Sequence, residues 1–572
     1  MPVHNVEVAR IFSLIADLLA IEEANEFRIR AYRQAARTIR DYPRPMADLV
    51  DDGESLAELP DIGEDLAGKI REIVRTGELQ QLTEIKQRTP LSLTELLKFD
   101  GLGPKRTSQL YQELDITSPA ELEAALENER LQALEGFGPK LIQRLRRQLA
   151  EGLPDATRTP LSEAEELAGS LVDYLRAKQG VGQVKVAGSY RRRQETVGDL
   201  DVLVTGEPSQ AIIEQFVAYE DVDEVLSQGE TRSTVTFRTG LRVDLRVVAP
   251  ESYGAALFYF TGSKEHNIAL RDMAVERGLK LNEYGLFRED ERLVGETEEG
   301  LYAHFGLAYI VPELREDRGE LAAAREQCLP TLITEDDIRG DLQVHTTASD
   351  GRDTIEEMAR AARARGLNYV AISDHSPRVA IVDGLDADAL RRQMAAIDRL
   401  NDELDDITVL KAVEVDILED GTLDLPDDVL AELDLCICAV HSGFDLSRQV
   451  QTERIIRAMD NPHVNILAHP TGRRIGHRPG YDLDLERLMK AALERGCFLE
   501  INAQPEHLDL DDVQAKMARE MGLTLAINTD AHSTTELDFM RYGVYQARRG
   551  WLEPEDVLNT YPLSRLRQLL SR

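Results

Sequence analysis

Cysteine is scarce: the four in 572 residues, Cys328, Cys436, Cys438 and Cys497, are too few and too scattered for a disulfide framework. They suit reduced thiols, and hence a cytoplasmic setting. No run of about 18 uninterrupted apolar residues occurs, which excludes a membrane-spanning helix. The opening MPVHNVEVAR has no apolar signal core, so export is not expected. Lysine is also rare, at 12 of the 67 basic residues. Against those 67 stand 104 acidic residues, a formal charge of −37. An acid-rich, lysine-poor surface points to a halophile's cytoplasm, or to no more than charge that resists aggregation. Apolar content is ordinary at 42%, so disordered and collagen-like folds are out. The length suggests three or four domains at roughly 100–200 residues each.

A charge of this sign argues against a nucleic-acid partner, which calls for a basic face. The acid is unevenly spread, however. Residues 1–50 and 101–150 each carry seven basic and seven acidic side chains, whereas 401–450 carry two against fourteen. Residues 1–152 read as helical throughout, with short glycine turns. GLPDATRTP (152–160) marks a boundary. After one helix (161–179), strand-like runs follow: VGQVKVAGSY, DLDVLVTG, STVTFRTG and LRVDLRVVAP. From 341 the chain repeats strand then helix about seven times, through DLQVH, YVAISDH, TVLKAVEVDI, LDLCICAVH, VNILAHP, CFLEINA and LTLAINTDAH. Such apolar runs between helices predict parallel strands able to close into a barrel.

Three turns resemble one another: LPDIGEDLAGKI (59–70), FDGLGPKRTSQL (99–110) and LEGFGPKLIQRL (134–145). Glycine permits the tight turn, and the next helix offers free N–H groups that can hold a phosphate without reading a base. One such turn is more often a plain helix–helix connection. Three of them, with Gly63, Gly101, Gly103, Gly136 and Gly138 in the turns and Lys105, Arg106 and Lys140 just after, point to the nucleic-acid backbone.

The segment GSYRRRQETVGDLDVLV (188–204) places Asp199 and Asp201 two apart at a strand start, on one face. Asp244 in LRVDLRVV can join them from a neighbouring strand. Three carboxylates at a sheet edge suit two divalent cations and phosphoryl transfer. A bare D-x-D in so acidic a chain is otherwise a solvated strand end; the upstream Gly188, Ser189 and Arg192 favour a triphosphate cradle.

Together with YFTGSKEHNIALR (259–271) and LNEYGLF (281–287), these motifs resemble the family X DNA polymerases, the group of DNA polymerase beta, over residues 1 to about 317. The resemblance implies that Asp199, Asp201 and Asp244 bind two catalytic Mg²⁺ or Mn²⁺ ions. It implies that Gly188, Ser189, Arg192 and Gly198 contact the nucleotide triphosphate, and that Tyr259, Phe260 and Gly262 line the sugar pocket. Asn267 would touch the minor-groove edge of the incoming nucleotide and Arg271 the template side. The family's lyase lysine falls at Lys69. Asp65, however, stands where a phosphate-binding lysine is expected, and Asp61 replaces a hairpin glycine, so Lys69 also reads as an ordinary helix lysine.

Eight of the eleven histidines lie after residue 340. His345, His375, His441, His469 and His532 follow apolar runs closely, as do Asp350, Glu414 and Asp530, which places them at the mouth of a parallel barrel. Imidazoles mixed with carboxylates suit Zn²⁺ or Mn²⁺ better than Mg²⁺. His463, His477 and His507 fall in loops and are not assigned as ligands. This half resembles the PHP (polymerase and histidinol phosphatase) domain, a distorted seven-stranded barrel with two or three metals that cleaves phosphoesters. The eight residues named fill its ligand positions. Its opening D-x-H-x-H stands here as Asp341-Leu-Gln343-Val-His345, with glutamine for the first histidine. Arg473, after the HPTG turn, is placed to hold substrate phosphate.

The expected organisation is therefore a multidomain chain. A helical helix-hairpin-helix region comprises an N-terminal domain (1–88) and a fingers-like domain (89–152). An α+β nucleotidyltransferase palm (153–250), a thumb-like nucleotide-selection domain (251–317), a linker (318–334) and a distorted (β/α)7 barrel (335–572) follow. The expected substrates are gapped or primer–template DNA and dNTPs, handled by a monomer without membrane contact. Alternatives are a barrel with a purely structural role, and a nucleotidyltransferase acting on small molecules or RNA ends.

Overall fold

A computed structural model describes the chain except residues 1, 2, 43, 100, 135, 152–157, 379–383 and 572. The chain divides into two compact units, Met1–Arg158 with Gly476–Arg478, and Thr159–Ile475 with Pro479–Arg572. The expected 152/153 boundary lies outside the described residues.

The described part of residues 1–151 is helical, without a strand. Asn5–Ile21 carries Val8, Phe12, Ile15 and Leu19 on one face, all buried against Tyr32, Ala35, Ala36 and Ile39 of Glu26–Asp41. A second core gathers Leu93, Leu96, Phe99, Leu110, Leu122 and Leu145. The three expected turns lead into helices Glu64–Thr76, Pro104–Leu114 and Pro139–Glu151. Each has a left-handed residue at the same register: Asp61 (φ 60°), Gly101 (φ 94°) and Gly136 (φ 84°). Aspartate tolerates that region better than most side chains, which explains how Asp61 substitutes for glycine.

The second unit opens with a five-stranded sheet. In chain order its strands are Val181–Val186 (β1), Asp199–Gly206 (β2), Val222–Gln228 (β3), Arg232–Phe237 (β4) and Arg242–Val247 (β5). In space the order is β1-β2-β5-β4-β3, with β2 parallel to β5 and the other pairs antiparallel. Leu200, Val202 and Val204 alternate along β2 into a core with Leu167, Leu171 and Phe216. That alternation leaves Asp199 and Asp201 on the opposite face. The expected strand through VAGSY stops at Val186, because a short helix, Gly188–Arg191, begins there. Helices Tyr253–Thr261 and Lys264–Glu276 and three short antiparallel strands (280–282, 285–288, 291–294) follow.

The barrel wall is formed by Gly340–Val344 (β6), Tyr369–Ile372 (β7), Thr408–Lys411 (β8), Glu414–Asp416 (β9), Cys436–Ala439 (β10), Val464–Leu467 (β11), Phe498–Asn502 (β12) and Leu525–Asn528 (β13). All neighbours are parallel, in two sheets, β6-β7-β8 and β9-β10-β11-β12-β13. Single bridges, Val344 to Ala531 and His375 to Glu414, join the sheets at both seams. The run TVLKAVEVDI, expected as one strand, is therefore two. It leaves β7 after Lys411 and pairs with β10 from Glu414 onward. Counting β8 and β9 as one wall position gives the distorted seven-fold barrel.

Candidate active sites

In the palm, Asp201 and Asp244 face each other across the parallel β2–β5 pair, one register step from Asp199. Gly188 sits directly on this edge with φ 63°, and a Cβ there would stand 2.7 Å from Asp201 Oδ2. Only glycine lets the turn approach so closely. Burial, together with the like charges of Asp199 and Asp244, pushes the Asp201 carboxyl up to about 7. Burial opposes charge on Asp244 too. There the Thr234 hydroxyl at 2.5 Å, Arg242 at 3.0 Å and Arg232 at 3.3 Å outweigh it and hold the carboxyl below its ordinary value. The all-oxygen donor set fits a hard divalent cation.

Ser189 lies in the short helix and Gly198 is exposed just ahead of β2. Arg192 is held on two edges: Nε donates to Glu316 Oε1 at 3.0 Å and Nη1 to the Thr261 carbonyl at 2.6 Å. Its neighbour Arg191 grips Glu298 with both terminal nitrogens, at 2.8 and 2.6 Å. Tyr259 is exposed and Phe260 half-buried, with the Arg246 guanidinium 4.3 Å from the Phe260 ring centroid. Gly262, at φ 71°, ends their helix, and a Cβ there would press on Arg192 Nη1 at 3.1 Å. Asn267 donates to the Tyr259 carbonyl at 2.7 Å, its Oδ1 buried and unpartnered; Arg271 is exposed one turn further on. The structure thus joins Gly188 to Asp201, Arg192 to the Thr261–Gly262 turn, and Asn267 to Tyr259.

In the first unit, Gly63 and Gly103 cap their helices, and Lys105 and Lys140 are exposed just after the turns. Lys69 is ion-paired with Asp65 and lies 5.2 Å from the Tyr32 ring centroid. Partial burial works against its charge, but Asp65 and Tyr32 prevail and hold the ammonium above its ordinary value.

In the barrel, the predicted ligands converge. Three overlapping groups have ligand atoms all within 4.8 Å of one another: His345, Asp350, His375 and His532; His375, Glu414 and His441; His345, Glu414 and Asp530. These are the groups of this kind among the described residues, and the palm triad is not one of them. His469 stands beside them, its Nε2 2.9 Å from Glu414 Oε1. Burial alone would depress His345, yet Asp530, Asp350 and Glu414 push it up to about 10. His441 likewise rises to about 10 through Glu414 and Asp416. Glu414, buried among imidazoles, is held well below the carboxylate range. Both nitrogens of His345, Nδ1 of His375 and Oε2 of Glu414 are buried and make no hydrogen bond. Carboxylate oxygens stand 3.0–3.6 Å from the His345 nitrogens. That mixed set of unshared nitrogen and oxygen donors fits Mn²⁺ or Zn²⁺. Gln343 reaches the same place: Nε2 is 3.5 Å from Asp530 Oδ1, and Oε1 is buried without a partner.

Sequence reasoning missed the supporting layer. Asp416 Oδ1 lies 3.2 Å from His441 Nδ1, and Asn502 donates to Asp530 at 3.0 Å. Burial pushes Glu500, which accepts the His469 backbone N–H at 2.7 Å, up to about 8. Asp416 is two residues after Glu414 on one strand, a period-2 signal that would have found it. Arg473 is not placed as expected. Its two terminal nitrogens bind palm Glu195, at 3.3 and 2.6 Å, and one also meets the Leu508 carbonyl, while Nε is buried without a hydrogen-bond partner.

Family models match in chain order: a helix-hairpin-helix domain at residues 3–79, a SAM-like helix-hairpin-helix tandem at 93–151, the DNA polymerase beta palm at 158–239, its thumb at 256–316, and a PHP domain at 341–504. The DNA polymerase/3′-5′ exonuclease PolX of Bacillus subtilis (strain 168) is 37% identical over 573 residues, covering 100% of both chains. The chain belongs to the PolX family. The PolX match spans Asp244, Asp530 and His532, which lie beyond the palm and PHP models. A probable phosphatase of Thermoanaerobacter sp. (strain X514) is 32% identical over 232 residues, 38% of this chain and 90% of the relative. One of Syntrophotalea carbinolica is 27% identical over 229 residues, again 38% and 90%. No helix among the described residues is long and apolar enough to cross a membrane.

Proposed function

We propose that this chain is a DNA-dependent DNA polymerase that fills short gaps during repair, and that its barrel removes 3′ nucleotides or blocking phosphates from DNA ends. The observation that carries the polymerase reading is the Asp201–Asp244 pair lying in register beneath the Gly188 turn. Asp199, Asp201 and Asp244 would hold Mg²⁺ or Mn²⁺, and the barrel groups Mn²⁺ or Zn²⁺. Bound there, such ions supply Lewis-acid polarisation of phosphate and of the attacking oxygen. The protein's own residues do the rest. Arg192 presents its guanidinium to the triphosphate, and the Tyr259–Gly262 turn crowds the C2′ side of the sugar. Asn267 and Arg271, four apart on one helix, address the nascent base pair. The Gly63, Gly103 and Gly138 hairpins hold the DNA backbone through helix N-termini, which needs no strongly basic surface.

Gln343 favours a second reading, in which the barrel is structural and inactive, since its amide is a weaker ligand than imidazole. The two are separated by Glu414→Ala combined with His441→Ala. Loss of 3′ nuclease activity with gap filling intact supports the enzyme reading; unchanged nuclease activity overturns it. Primer extension on gapped DNA distinguishes the polymerase from a transferase acting on small molecules or RNA ends.

A further inference from the structure

The barrel helix Met540–Arg549 turns one face to the palm. Tyr542, Tyr545, Gln546 and Arg549, spaced three and four apart, all meet residues of the palm or thumb. Tyr542 donates to Glu165 at 3.2 Å, and the Arg193 guanidinium stacks 4.3 Å from the Tyr545 ring centroid. Arg549 is buried, at 4% exposure. Its Nη1 donates to the Arg192 carbonyl at 2.7 Å and to Glu316 Oε1 at 3.0 Å, while Nη2 is anchored to Asp512 at 2.6 Å. The same Glu316 oxygen accepts from Arg192 Nε at 3.0 Å and Gln194 at 2.8 Å. Three residues after Arg192, Glu195 is clamped by Arg473. The palm turn 192–195 is thus gripped at both ends by barrel arginines.

We propose that Arg549 is a positioning residue for nucleotide binding: the barrel, through Arg549 and Glu316, fixes the turn and side chain of the triphosphate-contacting Arg192. This rests on the polymerase reading of Arg192. With Nε on Glu316 and Nη1 on Thr261, the Arg192 guanidinium has its plane set, and Nη2 has no hydrogen-bond partner among the described residues. Nη2 is the edge presented to phosphate. Fixing a guanidinium before its ligand arrives lowers the ordering cost of binding. Without Arg549, Glu316 loses a cation and the Arg192 carbonyl its donor, so the turn and the carboxylate that orient the side chain are held less firmly.

The test uses the full-length protein on a one-nucleotide gap, with dNTP titrated for wild type, Arg549→Ala, Arg549→Lys, Asp512→Asn and Arg192→Ala. Arg549→Ala is expected to raise the dNTP KM at least about fivefold, the order for one lost charge-assisted hydrogen bond. Affinity for gapped DNA and 3′ nuclease rate on single strands should stay within about twofold, a split that general unfolding would not produce. Arg549→Lys should recover part of the effect. Asp512→Asn leaves every palm contact in place but loosens Arg549; it should move KM in the same direction and carries the test if Arg549→Ala fails to fold. An Arg192→Ala defect without any from the Arg549 and Asp512 variants overturns the positioning role alone. An Arg192→Ala enzyme with unchanged dNTP KM overturns the reading of Arg192 and the positioning role with it.

Discussion

Asp201 is a carboxyl that the fold alone disfavours in its charged form. Its folded value of about 7 lies above the ordinary 3.8, so the folded state binds the proton more tightly. Its contribution to stability therefore falls as pH rises between those values. In chelator, Asp201→Asn should gain stability over wild type as the pH goes from about 5.5 to about 8, read by thermal melting. An advantage that does not change with pH removes the assigned cause. Lys69 leads to the opposite kind of expectation. A Schiff base needs a neutral amine, and the Asp65 pairing keeps Lys69 charged. Borohydride trapping on abasic DNA at neutral pH should yield no adduct that Lys69→Ala abolishes. Such an adduct would restore the lyase reading.

At the scale of single elements, the Gly188 turn is the most constrained. An alanine there meets both a left-handed φ and the Asp201 carboxylate at 2.7 Å, a local strain of about 1–3 kcal/mol. Gly188→Ala should abolish gap filling while sparing the barrel nuclease; retained polymerisation would show that the turn has room to shift. The strand-end cluster was legible in the sequence because apolar runs mark each strand and the histidines and carboxylates that converge follow them. The hairpins were legible too, since Asp61, Gly101 and Gly136 share one register. The division of TVLKAVEVDI was not, because the step from β7 to β10 is decided by which neighbour offers a ladder. Asp416 and Asn502 close their strands, but their parts are set by His441 and Asp530, which follow other strands, and that pairing is not written in the sequence.

At the scale of the whole molecule, sequence reading was weakest where partners lie far apart. Arg473 reads as a phosphate ligand until Glu195, 278 positions away, is found on it. The sole tryptophan, Trp551, belongs to the barrel by sequence yet packs into the thumb core with Phe258 and Leu270. Charge acts at this scale as well. A chain at −37 repels itself, and salt screens that repulsion over about 10 Å at 0.1 M. The melting temperature should therefore climb with KCl, and gap filling should persist at about molar potassium if the acidity is a high-salt adaptation. Melting that is flat or falls with salt would count against it.

The arginine clamps on the 192–195 turn carry one more consequence. With palm, thumb and barrel in one compact unit, a swing of the palm away from the barrel would have to break the Arg549 and Arg473 clamps. If those clamps hold, a misplaced 3′ end would reach the histidine cluster by peeling from its template and crossing to the barrel. Fraying of the terminal base pairs, rather than a hinge in the protein, would set how often synthesis is interrupted for correction.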